Sequence, residues 1–356
     1  MSASTIEPTE FPSESTAESP LVRRLLARIE RAVTTPLPPE GLALDGAAAL
    51  AAEIEAPGRD LLALGGKRWR PLLLALSCRM CGGPEDAAVA LAPVVELAHN
   101  GSLIIDDIED GADLRRGAPA AHLRHGLDLA INAGNLLYFL PAGYVAAAGL
   151  DAAIELQVHR LYGKAMLRLH YGQGLDILWH REPDRLPAIP EYFTMCRAKS
   201  GSLAGLAAAL GATAARAPAA VTDLLGEAGE EFGVCFQIID DVRNLTTGNP
   251  GKRRGDDLVE GKKSLPVILY CNRDAAARRR MVALLAACSA TDSVAAAGDA
   301  VEEAIALMAD AGVIEEAHNM ARQRYREVVG RLQAHPGLAA GDGWQALRDL
   351  TSTLIG

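Results

Sequence analysis

Two stretches of this chain place carboxylates where they can act together. In LAHNGSLIIDDIEDGADLRRG, Asp106 and Asp110 are four residues apart, so on a helix they share one face a turn apart, with Asp107 close enough to join them. Apolar Leu103, Ile104 and Ile105 precede them, which sets the acids at the rim of something buried, where their mutual repulsion calls for a cation. Carboxylate oxygens that leave coordination sites open to water and phosphate suit magnesium. Taken alone, the segment also reads as a solvated acidic helix end.

The second stretch, FQIIDDVRNLTTGNPGKRRGDDLVEGKKSLP, repeats the design: Phe236, Ile238 and Ile239 lead into Asp240 and Asp241, with Asn244 where the first motif has an acid. Arg115 and Arg116 follow the first cluster, and Lys252 and Lys262 the second. Carboxylates alone repel phosphate; with metal ions and a ring of Arg and Lys they clamp a diphosphate. A third basic element, GGKRWRP, carries Lys67, Arg68 and Arg70 after a glycine pair that permits close backbone approach. It is either an ordinary basic helix start or a second anion site that holds its ligand directly.

GGKRWRP, DDIED followed by LRRG, GQGLD, AKSGSL, FQIIDD and GKKSLP stand in the order and approximate spacing of the trans-type isoprenyl diphosphate synthases, the polyprenyl synthetase family, which the chain resembles from Leu61 to Pro266. Within it, DDIED with LRRG, LHYGQGLDI and DDVRN look most like geranylgeranyl diphosphate synthases. The resemblance implies an all-α fold, a single-domain helical bundle around a deep apolar cavity, and a homodimer. It implies magnesium-dependent condensation of isopentenyl diphosphate with an allylic diphosphate (dimethylallyl, geranyl or farnesyl) to an all-trans product, here geranylgeranyl diphosphate. It also assigns roles. Asp106, Asp107, Asp110, Asp240 and Asp241 would hold magnesium; Arg115, Lys199, Lys252 and Lys262 would neutralise the allylic diphosphate. Lys67, Arg70, His99 and Arg116 would bind isopentenyl diphosphate, and Gln237, Gln173 and Asp176 would line the reacting region. His99, alone among apolar neighbours, would otherwise read as an ordinary helix histidine.

Product length has its own candidates. Ser102 and Gly101 precede Asp106 by four and five residues, about one helical turn, and their small side chains are expected to open the cavity beyond farnesyl length. Tyr138 and Phe139, an adjacent aromatic pair, either close it near the twenty-carbon product or are simply core. Two rivals remain open at this level. A class I terpene cyclase would have no use for Lys67, Arg70 and Arg116, and cyclases rely on aromatic rings, which make up only 4% of this chain. A non-catalytic partner subunit would not need an intact DDIED.

The elements that must position these residues read as helices. The 356 residues are 49% hydrophobic, mostly Ala and Leu, and β-branched and aromatic residues are scarce. Breaks fall at Ala56–Gly58, Gly82–Pro84, Gly111–Pro119, Arg181–Pro190 and Gly248–Gly255, with no convincing strand. Leu129–Leu150 is uncharged but interrupted by Asn132, Asn135 and Pro141, which favours two buried helices meeting near Pro141 over a membrane span. Ser200–Ala215, apolar on every side, belongs in the middle of a bundle. From Asp274 onward the pattern is one of packing helices. Residues 1–20 read as a solvated tail and 21–356 as the synthase domain. The start shows no apolar leader, giving a cytoplasmic expectation. The net charge of −10 disfavours nucleic acid, and the six cysteines read as reduced thiols, with Cys78 and Cys81 lacking the partners a zinc site needs.

Overall fold

Leu21, Leu25, Ile29 and Val33 recur every four residues and form the buried stripe of helix α1 (Pro20–Thr34), which starts with the Ser19 hydroxyl accepting from the Val22 amide. The computed structural model describes residues 19–35, 48–248, 253–290 and 294–355, so residues 1–18 of the expected tail, and Lys252, lie outside the described residues. Helix α2 (Ala48–Ala63) runs straight through the break expected at Ala56–Gly58, with Pro57 inside it. A proline removes one backbone donor and kinks a helix, but packing on either side carries this one across.

Helices α3 (Trp69–Met80) and α4 (Glu85–Glu109) follow, α4 ending in the first acidic motif. The loop beyond is a hairpin that the sequence does not announce: β1 (Leu114–Arg115) pairs antiparallel with β2 (Ala118–Pro119). Arg116 and Gly117 at its turn both have positive φ, the turn geometry that suits a two-residue hairpin. After α5 (Ala121–His125), helix α6 (Leu127–Ala147) is continuous through Pro141, where two helices were expected. Pro141 is buried, and one missing hydrogen bond does not outweigh the packing of α6 against α4.

Next come α7 (Ala152–His180), α8 (Ile189–Cys196), a single π turn over Arg197–Gly201, α9 (Ser202–Ala214) and α10 (Ala219–Leu245). The short α11 (Asp256–Val259) and α12 (Leu265–Cys271) lead to α13 (Ala275–Ser289), α14 (Gly298–Asp310), α15 (Val313–Gln333) and α16 (Gly341–Ile355). Every residue of α9 is buried, as its all-round apolar sequence requires, and α3, α7 and α10 pack around it. One hydrophobic cluster extends from Leu21 to Ile355.

Helices α4 and α6 are both long and apolar enough to cross a membrane by length alone. The apolar window of α4 is 67% buried inside the protein, that of α6 only 33%. The exposed part of α6 includes Leu127, Ile131 and Phe139, and the neighbouring α7 adds Leu156, Leu167 and Tyr171.

Candidate active site

The first acidic motif is held from three sides. Gln173, on α7, donates to Asp106 at 2.9 Å and to Glu109 at 2.7 Å. Lys199, in the π turn, reaches Asp106 at 3.3 Å and the buried Asp176 at 2.6 Å. Burial works against the Lys199 ammonium, yet Asp106 and Asp176 outweigh it and hold its pKa above the ordinary lysine value. Asp176 is depressed in turn: desolvation opposes this, and Lys199 and His180 overcome it. Asp110 goes the other way, pushed up to about 7 by burial and by the charges of Asp106 and Glu260. Burial and repulsion at its carboxylate outweigh the attraction of Lys199 and His180, and a bound cation would favour its charged form.

Asp107 has a different task from the one expected of it. It is 1% exposed and receives the Arg115 guanidinium, Nε at 2.8 Å and Nη2 closer still, so it is turned from the mouth toward the hairpin. On a helix it lies 100° around from Asp106, and the neighbouring carboxylates do not share a face.

The second acidic motif splits in the same way. Asp240 is half-buried at the rim, where its charge acts on Lys67 and Lys262. Asp241, also expected to hold metal, is fully buried and occupied by protein donors on both oxygens. Tyr192 Oη (2.7 Å) and the Leu265 amide (3.3 Å) donate to one, Gln237 Nε2 (3.0 Å) and Lys262 Nζ (3.2 Å) to the other. Lys262 also reaches Asp257 at 3.0 Å; burial disfavours its charge, but Asp257 and Asp241 raise its pKa well above normal. Asp257 is buried in the short helix α11 as this partner.

The two motifs meet through the π turn. Ser200 donates to Gln237 Oε1 at 2.6 Å while Lys199, its neighbour, reaches Asp106 and Asp176. Gly172 of α7 and Gly233 of α10 make this possible, because a methyl on either would overlap turn backbone: the Lys199 amide nitrogen in one case, Gly201 and the Ser200 carbonyl in the other. A π turn is a frequent feature of functional sites.

The third basic element forms a separate pole. Arg68 is a structural residue, nearly fully buried and bound to Glu30 at 2.8 Å and Glu96 at 2.7 Å. Lys67, Arg70 and Arg116 have no carboxylate within ion-pair distance among the described residues. Arg116 donates to the Leu61 carbonyl at 2.9 Å and to the Gly65 carbonyl, and its guanidinium fills the space that a side chain on Gly66 would take. Arg70 lies 3.2 Å from His99 Nε2, and its buried Nε has no hydrogen-bond partner. Burial and Arg116 lower Arg70 to about 10 despite Glu96, and burial brings Arg116 to about 10 as well. Burial and the surrounding arginines hold His99 well below its usual value, so its ring stays neutral.

Of the length candidates, Ser102 lies on the α4 face of His99 and Asp106 and donates to the His99 carbonyl at 2.8 Å. Gly101 does not share it: a side chain there would strike the Gly134 carbonyl and Leu137 on α6, so Gly101 serves helix packing. Tyr138 passes beside Gly101 and meets the His170 ring of α7 edge-on at 5.1 Å. Phe139 is 76% exposed and cannot close a cavity within this chain. Sequence reasoning overlooked His170, Tyr192, Ser200 and Glu260; only His180, four residues after Asp176, carried a spacing signal.

A family model described as polyprenyl synthetase matches residues 51–304. A geranylfarnesyl diphosphate synthase of Aeropyrum pernix is 34% identical over 285 residues, covering 77% of this chain and 86% of that protein. A geranylgeranyl pyrophosphate synthase of Gibberella zeae is 38% identical over 217 residues, 60% of this chain, which spans 56% of the length of that relative. The polyprenyl synthase from Caulobacter crescentus, solved in complex with calcium and isoprenyl diphosphate, matches with a TM-score of 0.79 at 25% identity over 97% of this chain and 99% of that one. The chain belongs to the polyprenyl synthetase family. It is accordingly a prenyltransferase enzyme.

The contrast between Arg68 and Arg70 predicts opposite stability effects. Arg68→Met strands the buried Glu96 carboxylate and should cost about 3–5 kcal/mol in urea unfolding. Arg70→Met removes a buried cation that no carboxylate contacts, Glu96 acting on it only from beyond ion-pair distance, and should be neutral within about 1 kcal/mol, or stabilising. Equal losses in the two variants would mean that Arg70 is compensated after all.

Proposed function

We propose that the enzyme condenses isopentenyl diphosphate with an allylic diphosphate to give geranylgeranyl diphosphate. The observation that carries this reading is the presence of two unlike cation sets at one mouth. Arg115, Lys199 and Lys262 are each paired with a carboxylate, beside Asp106, Asp110 and Asp240. Lys67, Arg70 and Arg116 touch only neutral groups, with Asp240 and Glu96 acting on them from beyond ion-pair distance. The first set suits a diphosphate that arrives with divalent metal, and the second suits one bound directly. A cyclase needs only the first.

Asp106, Asp110 and Asp240 fit magnesium by their donor chemistry and by the repulsion stored at Asp110. Among the described residues no three Asp, Glu, His or Cys side chains come together in a group that could hold a metal ion by themselves. Bound there, magnesium would supply Lewis-acid stabilisation to the departing diphosphate. Arg115, Lys199 and Lys262 add positive charge where that leaving group gains negative charge. The allylic carbon–oxygen bond ionises, and the double bond of isopentenyl diphosphate, held by Lys67, Arg70 and Arg116 with neutral His99 against Arg70, attacks the cation. The departed diphosphate takes the proton released. Asp176 and Asp241 hold Lys199 and Lys262 in place, while Gln173 fixes Asp106 and Gln237 fixes Asp241.

The small Ser102 leaves room one turn below Asp106, and Tyr138 against His170, on the neighbouring α6 and α7, is the barrier at that depth. Residues 21–356 work as one synthase unit, a reading supported by their continuous hydrophobic cluster. The exposed apolar faces of α6 and α7, with Phe139 and Tyr171 each 76% exposed, are covered by a second copy of the chain.

Purified enzyme with magnesium, labelled isopentenyl diphosphate and each allylic primer should give geranylgeranyl diphosphate; no elongation from any primer would sink the reading. In EDTA, calorimetry should still detect isopentenyl diphosphate binding while a non-ionising allylic thiodiphosphate loses at least ten-fold in affinity, and equal losses would contradict two differently built sites. Ser102→Phe should shorten the product to farnesyl diphosphate with condensation intact; an unchanged product would place Ser102 off the cavity. Tyr171→Lys should shift the sedimenting species from dimer to monomer, and a wild-type monomer would exclude the proposed interface.

A further inference from the structure

The cations of the second pole are held without a carboxylate in contact, Asp240 and Glu96 acting on them only at longer range. The guanidinium carbon of Arg70 lies 4.4 Å from the centre of the Trp69 ring. That ring is 5.3 Å from the ring of Phe236, tilted by 35°, and the Phe236 ring carries the Lys67 ammonium at 5.8 Å on its face. Arg70, Trp69, Phe236 and Lys67 thus form one continuous stack from α3 to α10. Trp69 is 5% exposed, and Phe236 precedes Asp240 by four residues on α10, so the stack spans from the second pole to the acidic rim.

A ring face attracts a cation through its quadrupole without supplying a counter-charge. A carboxylate would hold the same cation more firmly but would cancel the charge that a diphosphate needs. Arg68, adjacent in sequence, shows that alternative, with Glu30 and Glu96 around it. We propose that Trp69 and Phe236 are positioning residues of the second diphosphate site, holding Arg70 and Lys67 on ring faces so that both keep their charge free for isopentenyl diphosphate. The inference rests on the assignment of Lys67 and Arg70 to that substrate.

Steady-state kinetics with each substrate varied in turn provide the test, on Trp69→Leu, Trp69→Phe, Phe236→Leu and Arg70→Met. Trp69→Leu and Phe236→Leu should raise KM for isopentenyl diphosphate about ten-fold. KM for the allylic diphosphate and the magnesium requirement should stay unchanged, and Trp69→Phe, which restores a ring face, should stay within about two-fold of the parent. A purely structural role would move both KM values together or reduce only kcat, and either result overturns the proposal, as does a Trp69→Phe enzyme no better than Trp69→Leu. Should Trp69→Leu fail to fold, Phe236→Leu carries the same expectation through Lys67. An unchanged KM in Arg70→Met removes the underlying site assignment; a raised KM there with normal values in both leucine variants removes the ring-face role alone.

Discussion

Taking a guanidinium or ammonium out of water is costly unless something nearby stabilises its charge, and the choice of that partner decides what the cation can still do. At one side of this mouth the partners are acids: Asp107 for Arg115, Asp176 and Asp106 for Lys199, Asp241 and Asp257 for Lys262. These cations are rigid and almost neutralised, and their carboxylate neighbours make the region hospitable to metal. At the other side the partners are rings and backbone carbonyls, and the charge stays uncancelled. An acidic protein can therefore hold two polyanions side by side by different means, and its net charge predicts neither.

Much of the site's rigidity comes from residues that touch no substrate. The π turn places Lys199 and Ser200 on neighbouring positions that face different acidic motifs, and Gly172 and Gly233 let it be gripped from both sides. Tyr192, fully buried on α8, fixes one oxygen of Asp241 and leaves the other for Gln237 and Lys262. Such a network is stronger the more of its donors and acceptors are matched.

The helical class and both acidic motifs were legible because they depend on local spacing: four-residue offsets, apolar lead-ins and following basic residues. What could not be read was rotation. Asp106 and Asp107, or Gly101 and Ser102, are neighbours in sequence but point 100° apart, and only the packing of α4 against α6 and the hairpin decides which one faces the mouth. The prolines misled for a related reason. Pro57 and Pro141 weaken a helix locally, but tertiary contacts across them are not visible in a window of ten residues. Tyr192 and His170 had no spacing signal, since their partners lie on other helices.

The hairpin between α4 and α5 also fixes a distance. Arg115 and Arg116 are joined by one peptide unit, which fixes their Cα atoms about 3.8 Å apart. One turns to Asp107 and the other to the carbonyls of the Gly65 loop. The positive φ of Arg116 sends the two side chains apart at the tip of the turn. One peptide unit therefore tethers the Asp107 side of the site to the Gly65 loop: the roots of the two side chains cannot drift apart, while their guanidinium ends, carried on rotatable stems, are held by the Asp107 carboxylate and the Gly65 carbonyl.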